Sequence, residues 1–324
     1  MPDCILGRTL LTVPLWLGAT MPLACDRGDD TRDAAGEAEV AASDEDKADA
    51  PAKGAGDRSR TSNAAPGSGS AAKANEAEVD PQALAALGDA SSLAPTEQRE
   101  GKFVFKHLPA KQDKYKPYEA LFDHGRLPSL IGVLEIIKLP RSVPIVTLEC
   151  GVANAFYTQQ HHAVVLCYEL ADDFYTKFRK IGSSDELASN QTLNALTFVL
   201  LHEMGHGVVS ELELGVTGGE EDTVDDLAAL LLVDAKQPRW AIDGALSMAM
   251  LDAGGKPPYF DEHSIGEQRF YNITCIVFGS DPGAYTELVE KKILPERRAA
   301  RCGKEYAQKN KAWETLLADH IRRK

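Results

Sequence analysis

The 324-residue chain has a formal net charge of -14 and 44% hydrophobic residues, enough length and apolar content for one large domain or two ordinary ones. So acidic a balance excludes a nucleic-acid binder, which needs a basic face or stripe. The charge is also uneven: residues 26–100 hold 17 acidic and 8 basic side chains, so -9 of the total lies in that stretch.

The first 25 residues have the layout of an export signal. Arg8 is the single basic side chain of a short leading region. Leu10 to Leu23 is an apolar run, too short for a membrane span and interrupted by Pro14, Gly18 and Pro22. It ends at Leu23-Ala24-Cys25, which resembles a bacterial lipoprotein cleavage site with Cys25 as the lipidated residue, although Pro22 stands where an aliphatic residue is usual. The expectation is an exported protein, periplasmic or at the cell surface, either soluble or tethered to the membrane through Cys25. Residues 26–100 are rich in Ala, Gly, Ser, Asp and Glu and almost free of aromatics. Such a segment buries too little apolar surface to offset its ordering entropy, so it reads as a disordered acidic tether. Leu84 to Leu93 is its one mildly apolar patch.

From residue 101 the texture changes to that of a folded domain running to the C-terminus. Phe103-Val104-Phe105 reads as a short strand, and Tyr115 to Lys138 has helical spacing that Pro140 ends. Ile145–Leu148 and Ala163–Tyr168 read as strands. Helices are then expected over Glu186–Leu212, Asp222–Asp234, Trp240–Leu251, Ser264–Phe278 and Ala307–Ile321. Two or three strands followed by helices is an α+β arrangement. Cys4 and Cys25 belong to the signal, which leaves Cys150, Cys167, Cys275 and Cys302. An even number in an exported chain suggests disulfides, and Cys150–Cys167 and Cys275–Cys302 are the pairings whose partners lie close in sequence.

The chemistry centres on His202-Glu203-Met204-Gly205-His206. Positions i and i+4 of a helix stack on one face, so both imidazoles can reach one ion. Glu203, about a quarter-turn on, can take a proton from a water beside that ion. Gly205 and Gly207 each cost about 1 kcal/mol against alanine inside a helix; here they would let a strand or helix approach closely. A third ligand is available after the loop ending at Gly219. Glu221 and Asp225 are again four apart, the spacing wanted for a ligand glutamate and an aspartate that orients a ligand histidine. Glu220, on the neighbouring face, is the rival ligand. Asp261-Glu262-His263 follows a proline-rich loop, and His263 could donate to the oxyanion of a tetrahedral intermediate. Arg269 and Tyr271 are weaker candidates for that task. His107, His124, His161, His162 and His320 show no partner pattern and read as surface residues.

The two-histidine helix followed by Glu-x-x-x-Asp resembles the glutamate-ligand zincins, the thermolysin-like class. More closely, the chain resembles a bacterial family of motif-defined metallopeptidases. The matching segments include Asn154-Ala155-Phe156-Tyr157, Leu166-Cys167-Tyr168-Glu169-Leu170, His202–His206, Glu220–Asp226 and Gln268-Arg269-Phe270-Tyr271-Asn272, and they span nearly everything from Phe103 onward. The resemblance implies a zincin-like fold with a small sheet packed on the active-site helix, and one Zn2+ per chain. It implies Glu221 as the third ligand with Asp225 behind a histidine, and a peptide or protein substrate paired with an edge strand, Ala163–Glu169. A zincin-like module that binds without cleaving, in an envelope-structural role, is the competing expectation.

Overall fold

A computed structural model describes residues 101–123, 127, 134, 136–251 and 266–322, together with 79–80, 84–85 and 87. The signal segment, Cys25, most of the tether, His124 and His263 lie outside the described residues.

The sheet has four strands: β1 (Phe103–His107), β2 (Val143–Leu148), β3 (Ala155–Thr158) and β4 (Ala163–Cys167). Their order is β1-β2-β4-β3, with β1, β2 and β4 parallel and β3 antiparallel to β4. The parallel pair β1–β2 needs a crossover, and that connection contains helix α1 (Lys116–Asp123). β2 and β4 are nearly unbroken apolar runs because both of their faces are covered. Ile145, Val164 and Leu166 point into the main core, and Val146, Leu148 and Val165 point the other way.

That other face is covered from an unexpected direction. Val79 is buried there, and Leu84 and Leu87 pack against it, with the Asp80 N–H donating to the Cys150 carbonyl at 3.0 Å. These contacts come from the stretch read as tether: Val79 and part of its one apolar patch lie against the sheet.

Helix α2 (Tyr168–Lys180) follows β4 without a loop and was not expected. Its buried Tyr168, Ala171, Phe174 and Phe178 do have helical spacing, but charged residues between them mask the pattern. The long helix α3 spans Asp185–Glu211, one residue from its expected start. The Ser184 hydroxyl caps it by accepting from the Leu187 N–H. Nineteen of its 27 residues are buried, so it is the axis of the core and not an amphipathic surface helix. Around it lie α4 (Glu220–Asp234), α5 (Pro238–Leu251), α6 (Gly266–Ser280), the short α7 (Glu287–Glu290) and α8 (Glu296–Leu317). The α+β arrangement with a helical C-terminal part is as expected.

Three element boundaries differ from the sequence reading. Of the helix expected over Tyr115–Lys138, α1 covers Lys116–Asp123; most of residues 124–135 lie outside the described residues, and by Ile137 the chain forms a bridge to Ile321. α8 begins at Glu296, well before Ala307, directly after Pro295. The edge strand is β3, because β4 lies between β2 and β3. Both expected disulfides form: Cys150–Cys167 joins the end of β2 to the end of β4, and Cys275–Cys302 joins α6 to α8.

The two glycines of the motif helix set its neighbours. A Cβ on Gly205 would lie 3.0 Å from Val224 Cβ of α4, and one on Gly207 would lie 3.3 Å from the Tyr157 ring of β3. Gly205→Ala would gain about 1 kcal/mol of helix propensity but overpack against buried Val224 at about 1–3 kcal/mol. We expect a net loss in urea unfolding, and recovery when Val224→Ala is added. We also expect a chain starting at residue 101 to be about 2–5 kcal/mol less stable than one starting at residue 75, since it lacks Val79, Leu84 and Leu87. Equal denaturation midpoints would show that the segment before residue 101 contributes nothing.

Candidate metal centre

α3 carries His202 and His206 one turn apart on the side that faces the N-terminus of α4. The approach permitted by Gly205 brings Glu221, in the first turn of α4, against both imidazoles. Glu221 Oε2 is 3.2 Å from His202 Nε2, Glu221 Oε1 is 3.3 Å from His206 Nε2, and the two Nε2 atoms are 3.2 Å apart. A tetrahedral shell with metal–donor bonds of about 2.0–2.1 Å separates its donor atoms by about 3.3 Å. Ligand atoms of these three residues all lie within 4.8 Å of one another. His202 and Glu221 are 4% and 6% exposed, so the set is shielded from competing water.

The opposite edge of each imidazole fixes what it offers inward. His202 Nδ1 lies 2.7 Å from Asp225 Oδ1, and His206 Nδ1 lies 2.8 Å from Glu220 Oε1. A carboxylate can only accept here, so each Nδ1 carries the proton and donates it. In the neutral tautomer both Nε2 atoms then present lone pairs to the same point as the Glu221 carboxylate. Three acceptors facing one another without a donor fit a divalent cation. Glu220, the rival ligand, is turned to the back of His206 instead; because α4 begins at Glu220, the two successive acids lie on different sides of its first turn.

Asp225 is only 2% exposed and accepts two further hydrogen bonds, both from one residue. Arg269 of α6 donates from Nε to Oδ2 at 2.7 Å and from Nη2 to Oδ1 at 2.8 Å. Burial works against the Asp225 charge, but Arg269 and His202 outweigh it and hold the carboxyl far below the usual range. Arg269 therefore serves Asp225 and does not face an oxyanion position. Tyr271, two residues on, is 38% exposed.

Glu203 is buried, and burial pushes its carboxyl pKa up. Its Oε2 accepts the backbone N–H of Tyr157 at 2.9 Å, and its Oε1 lies 3.9 Å from His202 Nε2, toward the three-acceptor point. Tyr157 is on β3, and its N–H points away from β4. By strand alternation, Ala155 and Tyr157 turn their backbone groups away from β4, where Asn154 Oδ1 and Glu203 Oε2 accept their N–H groups, while Phe156 and Thr158 pair inward with β4.

Burial alone would lower the imidazole pKa values. Asp225 and Glu221 outweigh it at His202, which rises to about 9, and Glu220 and Glu221 raise His206 to about 10. Glu221 is correspondingly held low: burial opposes its charge, but the hydrogen bonds from both histidines outweigh it. Without a cation, protons on the histidines balance the carboxylates.

The sequence reading brought together His202, Glu203, His206, Glu221 and Asp225, and the structure keeps them together. It missed Arg269 on Asp225, the Tyr157 amide on Glu203 and Glu220 behind His206. The first two contacts join residues more than 40 positions apart, which no local pattern signals. His162 is not a surface residue, being hydrogen-bonded to Glu211. Among the described residues one other set could hold a metal, Cys150, Cys167 and Glu169. Its cysteines are joined as a disulfide, and Glu169 accepts the N–H groups of Cys150 and Gly151.

An α+β fold with two histidines one turn apart, a third acidic donor and a buried carboxylate beside them is the architecture of a metal-dependent hydrolase. Residues 108–317 match a family described as "Putative metallopeptidase", and the chain belongs to that family. Neither the curated proteins nor the solved structures yield a match to the chain.

Metal uptake must displace the protons held by His202 and His206. Affinity should therefore rise with pH through the neutral range and level off near the histidine values of about 9 and 10. Calorimetry in buffers of different ionisation enthalpy should show protons released on binding; none released would contradict the ligand set. Asp225→Asn, which unties both His202 and Arg269, should weaken metal affinity by about 10–100-fold, read by competition with a chromophoric chelator.

Proposed function

We propose that the protein is an exported zinc-dependent peptidase with His202, His206 and Glu221 as metal ligands and Glu203 as general base. The observation that carries this reading is the convergence of two imidazole Nε2 atoms 3.2 Å apart on the two oxygens of the Glu221 carboxylate, 3.2 and 3.3 Å away, with the buried Glu203 carboxylate beside them. Two imidazoles and one carboxylate suit zinc, and three protein ligands leave a fourth position open, as catalytic sites require. Bound there, zinc would act as a Lewis acid, lowering the pKa of a water to roughly 7 and polarising the scissile carbonyl.

The chain's own residues have distinct tasks in this reading. Glu203 Oε1 takes the proton of the attacking water and passes it to the leaving amine. Glu203 Oε2, tied to the Tyr157 amide, keeps the carboxylate from rotating away. Asp225, clamped by Arg269, holds His202 in the ligand tautomer, and Glu220 does the same for His206. A peptide substrate is proposed from the family match, lying along β3, the strand on this side of the sheet. His263 is proposed as the oxyanion donor. Two disulfides suit an oxidising compartment, consistent with export and with a tether through Cys25.

Purified protein should carry one zinc per chain and show peptide hydrolysis that a chelator abolishes and zinc restores. Glu203→Gln should keep the metal and lose at least about 100-fold in kcat, the scale of a lost general base. A metal-replete protein that cleaves nothing in a broad peptide library would favour the binding-module reading, and full activity in Glu203→Gln would overturn the assignment of the base.

A further inference from the structure

A second buried charge cluster lies two turns along α3 from Glu203 and takes no part in metal binding. At its centre is Glu211, in the last turn of the helix, with a side chain 1% exposed. An acid there is disfavoured twice, by burial and by the negative end of the helix dipole. It is held by three groups from three places in the chain. Tyr157 Oη of β3 donates to Glu211 Oε1 at 2.7 Å, and His162 Nδ1, from the β3–β4 turn, lies 2.6 Å from the same oxygen. Arg141, just before β2, forms an ion pair with Glu211 Oε2 through Nε at 2.9 Å. Arg141 Nη1 also lies 3.1 Å from His162 Nε2, closing the ring of contacts.

The link to the proposed active site runs through one residue. Tyr157 touches α3 twice: its backbone N–H holds Glu203 Oε2, and its phenol holds Glu211. Burial and the Glu211 charge push the Tyr157 phenol pKa up, so it remains a donor. β3 is only four residues long and pairs with β4 on one side, so the sheet alone fixes it weakly. The turn that follows it places His162 at φ 47, a left-handed conformation uncommon outside glycine, asparagine and aspartate. That conformation aims the His162 ring at Glu211, which ties the hairpin tip to the end of α3.

We infer that Glu211, with Arg141 and His162, is a positioning device that clamps Tyr157 and the edge strand β3 onto α3, and so holds Glu203 in register. The inference rests on the reading of Glu203 as general base and deepens it. Tyr157, Glu211, His162 and Arg141 are positioning residues, since none is near the three-acceptor point.

The test compares Tyr157→Phe, His162→Ala and His162→Asn in the full zinc-loaded protein. Tyr157→Phe removes one hydroxyl and leaves Glu211 its other two partners, so folding should survive. Zinc content should remain one per chain in all three. Backbone amide exchange across residues 155–163 should speed by at least 10-fold in Tyr157→Phe and His162→Ala. Peptide hydrolysis should fall about 10-fold in kcat with zinc affinity unchanged. His162→Asn keeps an N–H donor and tolerates the left-handed turn, so it should recover most of both losses. Unchanged exchange and unchanged kcat in Tyr157→Phe would overturn the inference, as would equal losses in His162→Asn and His162→Ala. If the wild-type protein cleaves no peptide, the exchange measurement still decides the clamp, so failure of the peptidase reading and failure of this one are told apart.

Discussion

Two imidazole Nε2 atoms 3.2 Å apart, each 3.2–3.3 Å from an oxygen of the Glu221 carboxylate, make an unfavourable arrangement unless a cation or protons sit among them. Most of the local structure serves to maintain it. α3 is buried around most of its circumference, so its histidines cannot swing to solvent. α4 can bring Glu221 in only because Gly205 offers no side chain to Val224. The sheet reaches the same helix from the other side, over Gly207, and so delivers the Tyr157 amide to Glu203. Two helix-weakening glycines therefore fix the distances on both flanks of the motif.

Five of the acids along α3 and the start of α4 make different contacts, and reach and burial explain the division. Glu221 lies between the two Nε2 atoms. Glu220, one residue earlier and partly exposed, reaches the outer edge of His206. Asp225 has a shorter side chain and sits one turn deeper, where it meets His202 and Arg269 together. Glu203 shares the helix of the histidines, so its carboxylate stands beside the three-acceptor point. Glu211 lies too far along α3 to join them, and meets the edge strand instead.

The strongest parts of this picture were legible in sequence because they depend on helical spacing. His202 with His206, and Glu221 with Asp225, are i and i+4 pairs, and the geometry of one turn decides their direction. Both disulfide pairings were legible from proximity along the chain. What sequence could not supply was contact between distant segments. Arg269 was a weaker oxyanion candidate in sequence; the packing of α6 against α4 turns it onto Asp225. The family resemblance implied Ala163–Glu169, which contains β4, as the edge strand beside the cleft. Yet a fully apolar strand is what a covered, interior position demands, and the shorter, more mixed β3 is the one at the edge. Leu84 and Leu87 stood out in sequence as part of an apolar patch, but their packing and that of Val79 were not legible: composition averages over a window, whereas a sheet face needs only a few side chains.

Charge balance ties the metal centre to α6. Glu203, Glu221, Asp225 and Glu220 bring four carboxylates to two imidazoles, and three of the four are buried. Arg269 is the buried cation set against them through direct pairing with Asp225, and it leaves a large negative excess. Protonated histidines reduce that excess in the metal-free protein, which is why the carboxylates raise both imidazole pKa values despite burial. A dication at this point would replace those protons and draw on the same carboxylates. Without Arg269, Asp225 would be a buried carboxylate supported by His202 alone, and its tendency to take a proton would free the His202 ring to turn. α6 thus supplies no ligand, yet it keeps one of them aimed.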